Sequence, residues 1–315
     1  MKCRYHCFGL VLGCATETSK DSGAQPMDSP ADVVDNDPQC VNATLSQVDL
    51  WQRLGSPLGN GQTEQFAPSL VAVEDGLWLY YSQRSNLNDV VYRITTQDGV
   101  SWSEPVAVSG LDQLSGIMNI NVVQRGNSFS AAVGGGRIGF AESADGLTWT
   151  VTEIQGVPSA TFDAYGQLYP AQDSSGERLW FSGFSGQTFA IGLATKTNGE
   201  WSNREAVINS DAQSEYANAA VGQSAIYHQD DTIFMWYGGY DTGQTDPGPW
   251  RILFAQSTDG IQWSPGELAL DLTPSGEEAY SVREPSVALW NDILWMAYIG
   301  MGDDGQYRLR LASCE

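Results

Sequence analysis

Four segments of this chain end alike. TTQDGVSW closes at Trp102, ESADGLTW at Trp149, the shorter ATKTNGEW at Trp201, and QSTDGIQW at Trp263. Each follows a stretch of period-2 alternation (VVYRI, RIGFA, FAIGLA and RILFA) and precedes another extended stretch. Asp-Gly or Asn-Gly between two such runs is the strongest short-range signal for a β-hairpin, because glycine supplies the positive φ that a tight turn demands. The Asp or Asn side chain caps the turn. The Trp opens the returning strand, where its ring packs on the neighbouring sheet.

Two more strand-like runs precede each hairpin, as in PSLVAVE with LWLYYSQ and QSAIYHQ with TIFMWYGGY. The turn glycines Gly99, Gly146, Gly199 and Gly260 are separated by 47, 53 and 61 residues. Four strands per unit at a period of about 50 residues describe a β-propeller. A fifth copy, EPSVALW, ILWMAYIGM and YRLRLAS, reaches the end of the chain without a fourth strand. VDLWQRLGSPL, Val48–Leu58, precedes the first copy and carries Trp51 where the hairpins carry their Trp. It is expected to complete the last unit. The expected fold is all-β: one five-bladed β-propeller over residues 46–315, closed by an N-terminal strand.

Ring closure brings the two chain ends together, which bears on the cysteines. Cys40 and Cys314 flank the folded part. They form a disulfide if the ends meet in an exported compartment, and remain two free thiols otherwise. A bridge closing so long a loop stabilises by roughly 5 kcal/mol in the chain-entropy model. The other cysteines, Cys3, Cys7 and Cys14, sit in the first 14 residues. There Lys2 and Arg4 precede the short apolar run CFGLVLG, the pattern of a signal peptide. LVLGC resembles the bacterial lipobox, which implies cleavage of residues 1–13 and lipid attachment at Cys14. Residues 14–45 lack a hydrophobic period and read as a flexible acidic tether. The expected location is then the bacterial cell envelope, with the lipid as membrane anchor and the protein a monomer. Asp and Glu number 38 against 15 Lys and Arg, a net charge of −23. Such a surface repels phosphate backbones, so nucleic acid is excluded as a partner.

In a propeller the first strand of each blade lines the central channel, and ligands meet the strand starts. These fall at Phe66-Ala67-Pro68, Met118-Asn119-Ile120, Gly166-Gln167-Leu168, Gly222-Gln223-Ser224 and Arg283-Glu284-Pro285. The segments MWYGGYD, RILFAQSTDGIQWSPG and REPSVALWNDILWMAYIG resemble the five-bladed propeller glycosidases, which include family-43 arabinanases and xylosidases and the invertase and levansucrase families. The resemblance implies a carbohydrate ligand, no cofactor, and paired carboxylates at the channel mouth, one an acid and one a base or nucleophile. Only Glu284 falls on that pattern, as the candidate catalytic residue. The other mouth positions hold Ala67, Asn119, Gln167 and Gln223. Amides bond sugar hydroxyls but cannot serve as general bases near neutral pH.

The candidate ligand-binding set is therefore Asn119, Gln167, Gln223 and Arg283, with Trp250 and Tyr280 as rim aromatics for stacking on a sugar. Two further readings stay open: a working hydrolase using relocated carboxylates such as Glu64, Asp163, Glu215, Glu277 or Glu278, and a protein-binding scaffold. The sialidases are a weaker resemblance, because their turn motif separates the Asp from the Gly. No P-loop, nucleophile elbow or C-x-x-C pair is present, and His6 and His228 are too few for a histidine-rich metal site.

Overall fold

The computed structural model describes residues 39–41, 47–59, 64–85, 88–114, 119–134, 138–155, 170–173, 177–185, 188–201, 205–211, 213–241 and 249–315. The first 38 residues, with Cys14 and most of the tether, lie outside them.

Five antiparallel sheets form the fold. The first blade is β2 (Gln65–Val73), β3 (Gly76–Ser85), β4 (Asn88–Thr96) and β5 (Val106–Ala107), and the second is β6 (Asn119–Arg125), β7 (Ser128–Gly134), β8 (Ile138–Ser143) and β9 (Thr150–Gln155). The third is β10 (Pro170–Gln172), β11 (Arg178–Ser185) and β12 (Thr188–Thr197), edged by β13 (Glu200–Trp201) and β14 (Glu205–Ile208), both paired with β12. The fourth is β15 (Ala220–Gln229), β16 (Thr232–Tyr240), β17 (Trp250–Ser257) and β18 (Glu267–Leu270). The fifth is β19 (Ser281–Trp290), β20 (Ile293–Met301) and β21 (Tyr307–Cys314), completed by β1 (Gln52–Gly55). The inner strands close a ring: β2 neighbours β6 and β19, β10 neighbours β6 and β15, and β15 neighbours β19. This is the expected five-bladed propeller.

The core lies between blades rather than inside one. Five clusters of buried side chains occupy the five seams. The repeated hairpins explain how the seams are built. In three turns the Asp carboxylate (Asp98, Asp145, Asp259) accepts two backbone N–H groups beyond it, at 2.7–2.8 Å. The hydroxyl of Thr96, Ser143 or Ser257 accepts the glycine N–H. The turn backbone then docks on an aromatic ring of the preceding blade. Tyr80 donates to the Gly146 carbonyl at 2.9 Å, and the Trp180 indole to that of Gly260 at 3.1 Å. Gly260 has φ +77°, and a Cβ there would lie 2.8 Å from the Trp180 ring, so glycine is required twice over. The hairpin Trp completes the contact edge-on: Trp149 against Tyr80 at 6.2 Å and Trp263 against Trp180 at 6.4 Å.

The closing strand repeats this device. Trp51 is buried and meets Trp236 of the fourth blade edge-on at 5.8 Å, as the hairpin Trp residues do. Gln52 and Arg53 pair with Ser313 and Ala312 of β21. Arg53 also reaches the buried Glu278, which Arg310 of β21 holds from its other oxygen at 2.8 Å. Cys40 and Cys314 are disulfide-bonded, with Cα atoms 6.1 Å apart across 274 residues of sequence.

Candidate functional site

Among the described residues, the channel mouth is shaped by a bend that three inner strands share. Pairing slips between Phe66 and Ser69 on β2, between Gly222 and Ala225 on β15, and between Arg283 and Ser286 on β19. At each bulge one non-glycine residue takes a left-handed backbone: Ala67 (φ +49°), Gln223 (φ +60°) and Glu284 (φ +57°). Such conformations are uncommon outside glycine and persist only where the surroundings over-determine them, typically at binding or catalytic positions. Asn119 stands at the start of β6, where pairing to β7 runs unbroken.

The bulges surround a cavity of about 100 Å³. Asn119, Gln223 and Glu284 line it, with Ala67, Gln172 and Ser224. Among the described residues lining it, Glu284 carries the single carboxylate. That group is 2 % exposed. One oxygen accepts the Ala67 N–H at 2.6 Å, and the other lies 3.2 Å from Arg283 Nε. The Arg283 guanidinium covers the Tyr307 ring at 4.5 Å, and Tyr307 meets Phe66 at 5.1 Å. Glu284 is thus built into the seam between the fifth and first blades as much as into the cavity.

Much of the remaining polar lining ties blade to blade. Inner strands round an axis are too splayed for a backbone ladder, so side chains bridge them. Ser286 accepts the Leu70 N–H at 2.9 Å, Ser69 accepts that of Val122 at 2.9 Å, and Asn121 accepts that of Gln172 at 3.0 Å. Ser182 accepts the Gln223 N–H. The Gln223 side chain is different: it is 6 % exposed, yet its Oε1 has no hydrogen-bond partner among the described residues. The hydroxyl of Ser224, next along the cavity wall, is in the same position. Each unpaired buried group costs about 1–3 kcal/mol, a cost that a bound hydroxyl removes.

Trp250 opens β17 and packs over Gly238. A Cβ at Gly238 would lie 2.9 Å from the indole and 2.8 Å from Gln223 Oε1, so the bare backbone lets ring and amide approach one another. Tyr240 lies opposite Trp250, with ring centroids 5.4 Å apart. Tyr280 is half-buried ahead of β19, its N–H bonded to the Met301 carbonyl at 2.9 Å, and it does not line the cavity. Gln167 lies outside the described residues, as does Asp163. Glu277 and Glu278 face Arg308, Arg310 and Arg53 in an ion-pair network at the edge of the fifth blade. Asn121 and Gln172 were not singled out from the sequence, because polar residues inside a strand give no pattern of their own. Among the described residues no three His, Cys, Asp or Glu side chains gather as a metal site.

No protein-family model and no curated protein sequence matches the chain. Solved structures do. A thermostable family-43 glycoside hydrolase matches with TM-score 0.62 at 13% identity, over 82% of this chain and 91% of its own. The catalytic domain of a GH62 α-L-arabinofuranosidase from Coprinopsis cinerea matches with TM-score 0.62 at 11% identity, over 86% and 98%. An α-L-arabinanase from Cellvibrio cellulosa, solved with arabinohexaose, matches with TM-score 0.56 at 14% identity, over 80% and 92%. The chain therefore has the five-bladed propeller architecture of these glycoside hydrolases.

Proposed function

We propose that this protein binds carbohydrate at its channel mouth and has lost the paired carboxylates of a working glycosidase. Gln223 carries the reading: a nearly buried amide on a strained bulge, its acceptor oxygen without a partner among the described residues and its neighbour Trp250 partly exposed. A sugar hydroxyl donating to that oxygen while a ring face rests on the indole satisfies both groups. Glycoside hydrolysis needs two carboxyl groups about 5–10 Å apart. The described cavity wall offers one, held by Arg283 and the Ala67 N–H, while Ala67, Asn119 and Gln223 occupy the other described strand starts.

The test is titration calorimetry of the whole protein with arabino-oligosaccharides, alongside turnover assays on aryl-glycosides and the same oligomers. Saturable binding without product, weakened by Gln223→Ala and by Trp250→Ala, supports the proposal. Turnover that disappears with Glu284→Gln returns the protein to the hydrolases. We further propose that Cys14 is acylated and tethers the propeller to a bacterial envelope, as LVLGC suggests. Metabolic labelling with a palmitate analogue, lost in Cys14→Ser, is the expected result, and labelling that persists in the variant contradicts it.

A further inference from the structure

A second cavity opens on the flank of the propeller, in the wedge between the third and fourth blades, with a volume of about 460 Å³. Sites for small organic ligands typically enclose about 300–1,000 Å³, so this space accommodates one or two sugar rings. Its wall comes from the outer strand β14, the link from that strand to β15, and the segment joining the Asp-Gly turn of the fourth blade to β18.

Three aromatic residues face it: Tyr216, Tyr237 and Trp263. Arg251, held by Asp271 at 2.7 Å, backs one face of the Tyr216 ring at 5.2 Å and so fixes its orientation. Trp263 is fixed by its indole bond to the Gly260 carbonyl at 3.2 Å. Tyr237 is 3 % exposed. Its hydroxyl reaches the wall beneath Gly266, where a Cβ would stand 2.1 Å from the oxygen. Gly266 has no positive φ to explain it; a side chain there would collide with that hydroxyl. Burial holds the Tyr237 pKa well above the usual tyrosine range, so its hydroxyl stays an O–H donor.

The polar groups around these rings define the ligand chemistry. Asp211 and Glu215 supply carboxylate acceptors, and Ser264 supplies a hydroxyl. Among the described residues lining the cavity there is no Lys or Arg. Anionic ligands, including uronic acids, are therefore repelled, while neutral sugars find acceptors for their hydroxyls and aromatic surface for their C–H faces. We infer that the groove between the third and fourth blades is a second carbohydrate site, separate from the channel mouth and selective for neutral oligosaccharide. The inference shares with the proposed function its choice of carbohydrate as ligand, but rests on different residues.

Calorimetry of the whole protein with arabinohexaose tests it. The expected stoichiometry is two per chain. Gln223→Ala removes the channel-mouth component and leaves the flank component. Tyr237→Phe removes one hydroxyl and weakens the flank component alone by about five- to tenfold, the worth of one hydrogen bond. Glu215→Gln, on an accessible loop, reads the same site if Tyr237→Phe folds poorly. A galacturonate oligomer of equal length is expected to miss the flank site. A single site abolished by Gln223→Ala overturns this inference and leaves the channel-mouth reading standing. A single site lost in Tyr237→Phe or Glu215→Gln and untouched by Gln223→Ala does the reverse. Equal binding of the acidic oligomer, or flank binding of spermine in place of sugar, overturns the assignment of a neutral glycan.

Discussion

Opening the ring at its covalent clasp is expected to cost more than any single contact in it. The disulfide joins Cys40 to Cys314 across 274 residues. In the chain-entropy model, releasing a loop of that length returns about 5–6 kcal/mol to the unfolded state. Both cysteines are buried in the seam of the fourth and fifth blades, with Trp51 and Trp236. Serine fills nearly the same volume, so the packing loss from substitution is small beside the entropic one. The assay is urea denaturation of the wild type and of the Cys40→Ser/Cys314→Ser double variant, with tryptophan fluorescence as the probe. The double variant is expected to lose about 5 kcal/mol, or roughly 10–20 °C in melting temperature for a domain of this size. The wild type under strong reductant is expected to approach the variant once it is unfolded and refolded. A loss below about 1 kcal/mol refutes the reasoning. It would mean that pairing of β1 with β21 and the Arg53–Glu278–Arg310 network hold the ends without help.

Further outcomes follow from the same contacts. Gly260→Ala meets both a positive φ and the Trp180 ring, whereas Gly126→Ala meets only the φ (+58°) with open space around it; the first is expected to destabilise by about 2–4 kcal/mol and the second by about 1, measured by chemical denaturation. Ala67→Gly relieves a left-handed alanine at φ +49° and is expected to leave stability unchanged or raised by up to about 1 kcal/mol. Glu284→Gln removes the charge that pairs with Arg283 in a nearly buried setting and is expected to cost about 3 kcal/mol. Backbone N–H groups hold the Asp98 and Asp145 carboxyls down at about 2 and lower Asp259 as well. Their folded pKa values lie below the unfolded ones, so their contribution is present above about pH 4 and fades as pH falls towards 2. The triple variant Asp98→Asn/Asp145→Asn/Asp259→Asn is expected to show a flatter stability profile between pH 4 and 2, read by denaturation at each pH.

The architecture was legible because its signals are local. A turn glycine, a capping Asp and a following Trp recur within eight residues, and the period between copies counts the blades. The closing strand was legible through the missing fourth strand of the fifth copy and through Trp51, since the contact with Trp236 imposes the same residue there as in the hairpins. The third blade was harder. Its Asn198-Gly199 turn pairs tightly as β12–β13 and meets nothing of the neighbouring blade at Gly199. Its described inner strand is only Pro170–Gln172, so no repeat fixes the register near Gln167. The left-handed bulges at Ala67, Gln223 and Glu284 were not legible at all. No glycine marks them, and the conformation is imposed by neighbouring blades, as where the Ala67 N–H meets Glu284. Nor does the sequence reveal the flank groove, which depends on Tyr237 arriving beneath Gly266 from another strand.

The most direct test of the central claim is to incubate the whole protein with arabinohexaose at concentrations spanning saturation, and to follow bound ligand by calorimetry and products by chromatography in the same sample. The account predicts saturable binding that weakens with Gln223→Ala, and intact hexaose after prolonged incubation. Shortened oligomers that vanish with Glu284→Gln, or binding indifferent to Gln223, would contradict it.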